Sequence, residues 1–388
     1  MKILFFTHEF PPIIRSGPGN RTRLLADKLS EKGFKLEFIS LKFGEYNGLA
    51  KEENYNKNCI VHRITLPKNE RLLFSFYSSI FSWINRSIAK NCDAVHALDT
   101  RDAPFAYFNG KPLLVDINDY TSASTPLNPF KFPWKAHDKW TRYFYNNFTK
   151  IIEATSILRA NAVTFSNPTT SDIVSKYYKI PEEKINILGR GIDPNEYLTE
   201  KTAKKRKDIL FIGGNLEGKG IEEMIKSISI VKRRYPSIKV NVISKASPEY
   251  MKHLQSMMDE FKVSDNFVFH GELSHKEIIN LQMQSYMFVI PTYRDGMPQA
   301  LLESMMAKLP AVGTNVGGLP YVIDDKKTGF LVEVYNVEQL AEKILFLLNN
   351  PKIAEEMGEK GREKILNNFT FDSIVERYIK IYEKISSK

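Results

Sequence analysis

Short apolar runs alternate with stretches of helical periodicity along nearly the whole chain. Residues 2–7 read as a short buried strand. After a Pro/Gly loop, residues 20–32 place Leu24, Leu25 and Leu29 at helical spacing, and Gly33 separates that helix from a second strand at 35–41. The opening of the chain is therefore a βαβ unit. Further short apolar runs at 94–97, 113–117 and 162–166, separated by helical stretches, predict a parallel, doubly wound sheet.

A charged connection, 200–207, interrupts the pattern, which then begins again. Strands are expected at 208–213, 239–244, 267–270, 287–291 and 311–314, with helices at 221–235, 248–261, 276–284 and 299–307. Two such series describe two Rossmann-like lobes. Ligands of these sheets bind at the carboxyl ends of the strands.

Composition narrows the class. At 388 residues the chain exceeds what one core of about 250–300 residues sustains, which again favours two domains. Hydrophobic residues make up 43% and charged residues 26%, the balance of a folded globular protein. Cys59 and Cys92 are the only cysteines, too few for a disulfide framework or a cysteine-rich metal site, and they fit a reducing cytosol. The apolar start, 1–6, is far shorter than a signal-peptide core, and no apolar run of about 18 residues suggests a spanning helix. The net charge of +10 suits nucleic acid, an anionic membrane surface or phosphate-bearing small molecules. Lysine and arginine are spread along the chain, and no nucleic-acid-binding signature accompanies them, so a nucleic-acid partner is not expected.

Four segments offer chemistry. The first loop, Pro11 to Arg21, carries Gly17 and Gly19 before a helix N-terminus, where free N–H groups suit a phosphate; it reads equally as a plain turn. It is not a dinucleotide fingerprint. The second series opens with Gly213 and Gly214, then Gly218, Lys219 and Gly220, which places a lysine between a glycine-rich turn and a helix, suited to a diphosphate; the spacing is not that of a P-loop. The segment Pro291 to Met305 is the most informative. A strand ends, Asp295 stands in a loop, and Glu303 follows about a turn and a half into the next helix. The two carboxylates are expected to reach different parts of one ligand and suit sugar hydroxyls. Lastly, Gly317-Gly318 and Lys327 to Val332 read as turns, either facing a ligand or serving the fold alone.

These segments, in this order, resemble the retaining glycosyltransferases of the GT-B fold known as family 4. The resemblance takes in the Pro-Pro and glycine loop, Leu25-Ala26 to Gly33, Ile192-Asp193, Gly213 with Lys219-Gly220, Asp295 to Glu303, Gly317-Gly318 and the stretch 371–385. It implies an α/β chain of two Rossmann-like domains facing across a cleft. Residues 1–195 would bind the acceptor, 205–370 the nucleotide sugar, and a final helix, about 371–388, would cross back to the first domain.

By the same likeness Glu303 would bind the ribose, and Asp295 with the main chain of Gly296, Met297 and Pro298 would hold the transferred sugar. Lys219 would stabilise the leaving diphosphate, with Gly213 and Gly214 beside it. Gly17 would approach the phosphates, and Leu301 would lie under the nucleotide. Lys219 and Asp295 are thus the catalytic candidates. Neither a metal nor a cofactor is implied, because lysine and helix termini neutralise the departing charge. The donor would be a UDP- or GDP-sugar and the acceptor a glycan or lipid-linked hydroxyl in cell-surface polysaccharide or glycoconjugate synthesis.

The chain departs from the family pattern in several places. Asp295 stands where glutamate is usual, Gly214 where an arginine is common, and Asn118-Asp119 where a histidine is frequent; Asn118 and Asp119 are acceptor-side candidates. Arg190 replaces a frequent asparagine and offers compensating charge. The aromatic and basic stretches 71–84 and 130–148 suit a cytoplasmic protein that visits the anionic inner face of the cell membrane; they read equally as core and interlobe packing. Two rival functions remain: a sugar-nucleotide-binding subunit with weakened catalysis, and a sugar-nucleotide epimerase of the same fold.

Overall fold

A computed structural model of the chain describes residues 1–13, 17–42, 44–65, 88, 90–100, 102, 110–118, 150–197 and 208–387. The stretches 71–84, 130–148 and 200–207 and Asp119 lie outside them. The chain divides into two compact units: Met1–Gly189 with Ile374–Lys388, and Arg190–Ser373. No described helix is long and apolar enough to cross a membrane.

Among its described residues the first unit has eight strands: β1 (Lys2–Phe6), β2 (Lys35–Lys42), β3 (Glu52–Asn56), β4 (Cys59–Thr65), β5 (Ala94–Ala97), β6 (Leu113–Ile117), β7 (Ala162–Phe165) and β8 (Ile185–Ile187). Their order across the sheet is β3-β4-β2-β1-β5-β6-β7-β8. All pairs are parallel except β3 with β4. The central strands are near-continuous apolar runs because a doubly wound parallel sheet is covered on both faces. Helix α1 (Gly17–Glu31) follows β1, and α2 (Pro168–Tyr178) follows β7. The side chain of Asn167 accepts the N–H of Thr170 and starts α2, while Lys179 in the left-handed region ends it.

The second unit has six parallel strands: β9 (Ile209–Asn215), β10 (Val240–Lys245), β11 (Phe267–Gly271), β12 (Met287–Ile290), β13 (Ala311–Thr314) and β14 (Gly329–Val332). They are ordered β11-β10-β9-β12-β13-β14. The strand succession reverses between β9 and β12, the topological switch point where such sheets take their ligands. The covering helices are α3 (Ile221–Val231), α4 (Pro248–Glu260), α5 (His275–Gln284), α6 (Gln299–Met306), α7 (Leu319–Val322), α8 (Val337–Asn349) and α9 (Pro351–Asn368). Helix α3 shows why they form: Ile221, Met224, Ile225, Ile228 and Val231 recur at helical spacing and are all buried. A reciprocal Ser274/Glu277 capping box starts α5. The last helix, α10 (Phe371–Ser386), begins in the second unit, and most of its length is counted with the first.

Two expectations needed correction, and one element had not been foreseen. Strand β9 runs on through Gly213 and Gly214 to Asn215, so these glycines lie in the strand and the turn comes later. Residues 52–65 form an antiparallel hairpin that the polar sequence did not announce. The turn reading around Lys327 holds only to Thr328, because Gly329 opens β14.

Candidate functional site

The site in the second unit is assembled where β9 and β12 end. The loop after β9 is pinned to the end of β12 by main-chain contacts. Tyr293 N–H donates to the Gly218 carbonyl at 3.2 Å, and the Thr292 hydroxyl donates to the same oxygen at 3.4 Å. Gly220, at φ +74°, comes so close that a Cβ there would lie 1.9 Å from the Pro291 carbonyl oxygen. Only glycine fits that approach. The loop therefore fixes Lys219 against the strand end that carries Asp295. The ammonium Nζ of Lys219 donates to Oδ2 of Asp295 at 2.6 Å, and both side chains are mostly covered.

Asp295 is also held through its backbone, whose carbonyl accepts from Gly318 N–H at 3.1 Å. The Gly317-Gly318 turn thus braces the site before α7. Helix α6 starts at Gln299, directly after Pro298, and buries Leu301, Leu302, Ser304, Met305 and Met306. Glu303 faces out of that core and is half-buried. Burial pushes its carboxyl above the usual range; His275 opposes this, Glu196 adds to it, and the Gln282 and Gln299 amides hold it back. His275 Nε2 lies 2.9 Å from Glu196 Oε2, and this hydrogen bond raises the imidazole pKa.

Lys219 and Asp295 are thus in direct contact, and Gly296, Met297 and Pro298 follow in the same loop. Met297 and Leu301 are fully buried in the core. Leu301, expected to lie under the nucleotide, packs in one apolar cluster with Met297, and neither residue leaves any surface exposed. Gly214 is exposed, with nothing within 4 Å of where a Cβ would stand. Arg190 is half-buried at the start of the unit.

In the first unit Gly17 is the first residue of α1. Asn118 follows β6; its amide nitrogen donates to the Leu98 carbonyl at 2.5 Å, and its side-chain oxygen accepts from Arg21. It borders a cavity of about 30 Å³ at the carboxyl ends of β1, β5 and β6, lined also by His8, Arg21 and Asp102. That space holds about two waters or one small polar group. His8 Nδ1 is 3.2 Å from Asp102 Oδ1.

Sequence reasoning passed over the polar network behind this cavity. Arg21 and the Tyr378 hydroxyl both donate to Asp116 Oδ2, at 2.7 and 2.8 Å, and Arg21 also bonds Tyr378. His96 Nε2 is 3.0 Å from Asp116 Oδ1, and its Nδ1 is 2.7 Å from the Tyr382 hydroxyl. Burial would raise the Asp116 carboxyl, yet His96 and Arg21 pull it well below the carboxylate range. A charged residue inside the apolar strand Leu113–Ile117 and a histidine inside Ala94–Ala97 were the available signals.

The family model described as "Glycosyltransferase Family 4" matches residues 15–196, and "Glycosyl transferases group 1" matches 196–364. Among curated proteins, the chain is 25% identical to alpha-maltose-1-phosphate synthase of Mycolicibacterium smegmatis over the full length of both. It is 27% identical to the capsular polysaccharide biosynthesis glycosyltransferase CapM of Staphylococcus aureus, over 52% of this chain and 56% of CapM. Among solved structures, sucrose-phosphate synthase of Thermosynechococcus elongatus superposes with a TM-score of 0.79 at 16% identity, covering 100% of this chain and 99% of the other. HepE of Anabaena, solved in complex with UDP, gives 0.75 at 14% identity over 99% of this chain and all of HepE. These two structural likenesses establish a shared fold.

Proposed function

The chain belongs to glycosyltransferase family 4 and is a glycosyltransferase, and from that premise we propose that its second unit binds a nucleotide sugar through Lys219, Asp295 and Glu303. The observation that carries the assignment is the Lys219–Asp295 contact at the β9/β12 switch point, a cation for phosphate beside a carboxylate for sugar hydroxyls. Glu303, on α6, takes the ribose hydroxyls. A UDP- or GDP-sugar is the expected donor; HepE in complex with UDP supports a uridine nucleotide as the first to try.

The reaction breaks the bond between the sugar C1 and the diphosphate oxygen, which departs with the electron pair. An acceptor hydroxyl oxygen bonds to C1 and gives its proton to the departing phosphate, with retention at C1. Charge accumulates on the diphosphate, and Lys219 is the group that stabilises it; no divalent ion is needed for that step. The acceptor is a glycan or lipid-linked hydroxyl held by the first unit, with Asn118 beside the small polar cavity. A role in cell-surface polysaccharide synthesis is supported by the likeness to the capsular enzyme.

The test is a thermal-shift panel of nucleotides and nucleotide sugars. A ligand of the folded state at a hundred times its Kd stabilises by about 2.7 kcal/mol. One donor raising the melting temperature, with the shift lost in Glu303→Ala, is the expected result. No shift with any nucleotide sugar overturns the proposal.

A further inference from the structure

Lys219 and Asp295 have been given different parts of the donor, yet their side chains are in direct contact. Their contact of 2.6 Å joins side chains with 25% and 16% of their surface exposed, so neither charge is fully solvated. The pairing is imposed by the chain around it. Gly218 is bonded to Tyr293 and Thr292, Gly220 abuts Pro291, and the Asp295 carbonyl is held by Gly318. These contacts hold the two backbones together and keep the ammonium beside the carboxylate. Any ligand that takes the ammonium must take it from the carboxylate.

We propose that Asp295 is a specificity-determining residue that works through Lys219, releasing the ammonium fully only to a ligand that brings a sugar as well as a diphosphate. This rests on the donor assignment above. A bare nucleoside diphosphate draws Lys219 toward its phosphates and leaves a largely covered carboxylate without its cation, beside added negative charge. A nucleotide sugar supplies hydroxyls that donate to the same carboxylate, so the loss is made good. The pair thereby handicaps the bare nucleotide relative to the intact donor. After transfer the handicap returns: the sugar has left, Asp295 recaptures Lys219, and the product nucleotide is loosened.

The test is calorimetric titration of the full chain at low ionic strength. The probe is whichever of UDP, GDP and ADP binds the wild type most tightly, paired with UDP-glucose, GDP-mannose or ADP-glucose accordingly. Asp295→Asn keeps the shape and removes the charge. It is expected to bind the bare nucleotide about two- to five-fold more tightly, the scale of a partly exposed ion pair, and to bind the sugar conjugate no better than wild type. In a Lys219→Met background the same substitution is expected to bring no gain. A residue that only supported the loop would weaken both ligands together. Asp295→Ser carries the same expectation and replaces the Asn variant if that variant melts below the wild type. Unchanged or weaker nucleotide binding in both Asp295 variants, with normal binding in the wild type, overturns the coupling and leaves the donor assignment standing. Binding of no nucleotide by the wild type overturns both.

Discussion

The family resemblance leads one to expect an arginine where Gly214 stands, and nothing near it requires a glycine. It is exposed in β9, with open space where a side chain would project. An arginine there would add a second cation to the stretch that carries Lys219. Gly214→Arg is expected to fold normally and to bind a nucleoside diphosphate more tightly by about 1 kcal/mol, roughly five-fold, with the gain shrinking in high salt. Titration at two ionic strengths checks both parts. Glu303 makes a separate prediction at this scale. Its pKa is raised by burial, and ribose hydroxyls need the ionised carboxylate as acceptor. As pH falls, the folded carboxyl takes up its proton earlier than an ordinary glutamate would, so donor affinity is expected to begin falling above the usual glutamate range. Glu303→Gln, which has no such proton, is expected to lack that component when dissociation constants are compared from pH 8 to pH 5.

Elements hold these residues in place, and the β9–α3 loop is the tightest instance. A methyl group at Gly220 would meet the Pro291 carbonyl at 1.9 Å in a conformation that L side chains rarely adopt. Gly220→Ala must push the loop off β12, at a cost of about 1–3 kcal/mol from strain alone. Lys219 moves with it. The expected result is a lower denaturant midpoint together with weaker nucleotide binding, whereas Gly214→Ala, with open space around it, leaves both unchanged. At this scale much could be read from the chain beforehand. Strands Ala94–Ala97, Leu113–Ile117 and Ala311–Thr314 were legible because burial on both faces leaves short, mostly apolar runs, interrupted only at His96, Asp116 and Thr314. The hairpin at 52–65 was not, because β3 is a polar edge strand, and Glu52, Glu53, Asn54 and Asn56 carry no alternation to detect. Gly329 misled for a different reason. It is a glycine because a Cβ would meet the Ala311 carbonyl of the neighbouring strand at 2.2 Å, a packing demand that looks like a turn signal in one dimension. The site followed the same rule: Lys219, Asp295 and Glu303 each stood in a recognisable local context, while the ion pair between the first two depends on how two loops separated by 76 residues are stacked.

For the molecule as a whole, the resemblance implied a final helix that crosses back to the first domain, but not the bonds by which the first unit depends on it. Arg21 and Tyr378, 357 positions apart, share the carboxylate of Asp116, and no local pattern announces such a bond. The final helix does more than complete that network. Ile374, Val375, Tyr378, Ile381, Tyr382 and Ile385 are all buried. At about 1.5–3 kcal/mol for each buried apolar side chain, these six contribute roughly 9–18 kcal/mol as an upper bound, which matches or exceeds the 5–15 kcal/mol that typically separates a folded domain from its unfolded state. A chain ending at Ser373 is therefore expected to leave the first unit unfolded, while the second, whose own core is intact, persists. Limited proteolysis checks this: the shortened protein should lose its amino-terminal half quickly and keep a resistant fragment from within 190–373, where the full chain resists in both parts. Tyr378→Phe separates the network from the apolar burial. It removes one hydroxyl and leaves Asp116 short of a donor, a loss of about 1–3 kcal/mol. That should lower the melting transition of the first unit without abolishing it and leave nucleotide binding by the second unit untouched. Survival of an intact, cooperatively melting first unit in the shortened chain would show that the helix only decorates it.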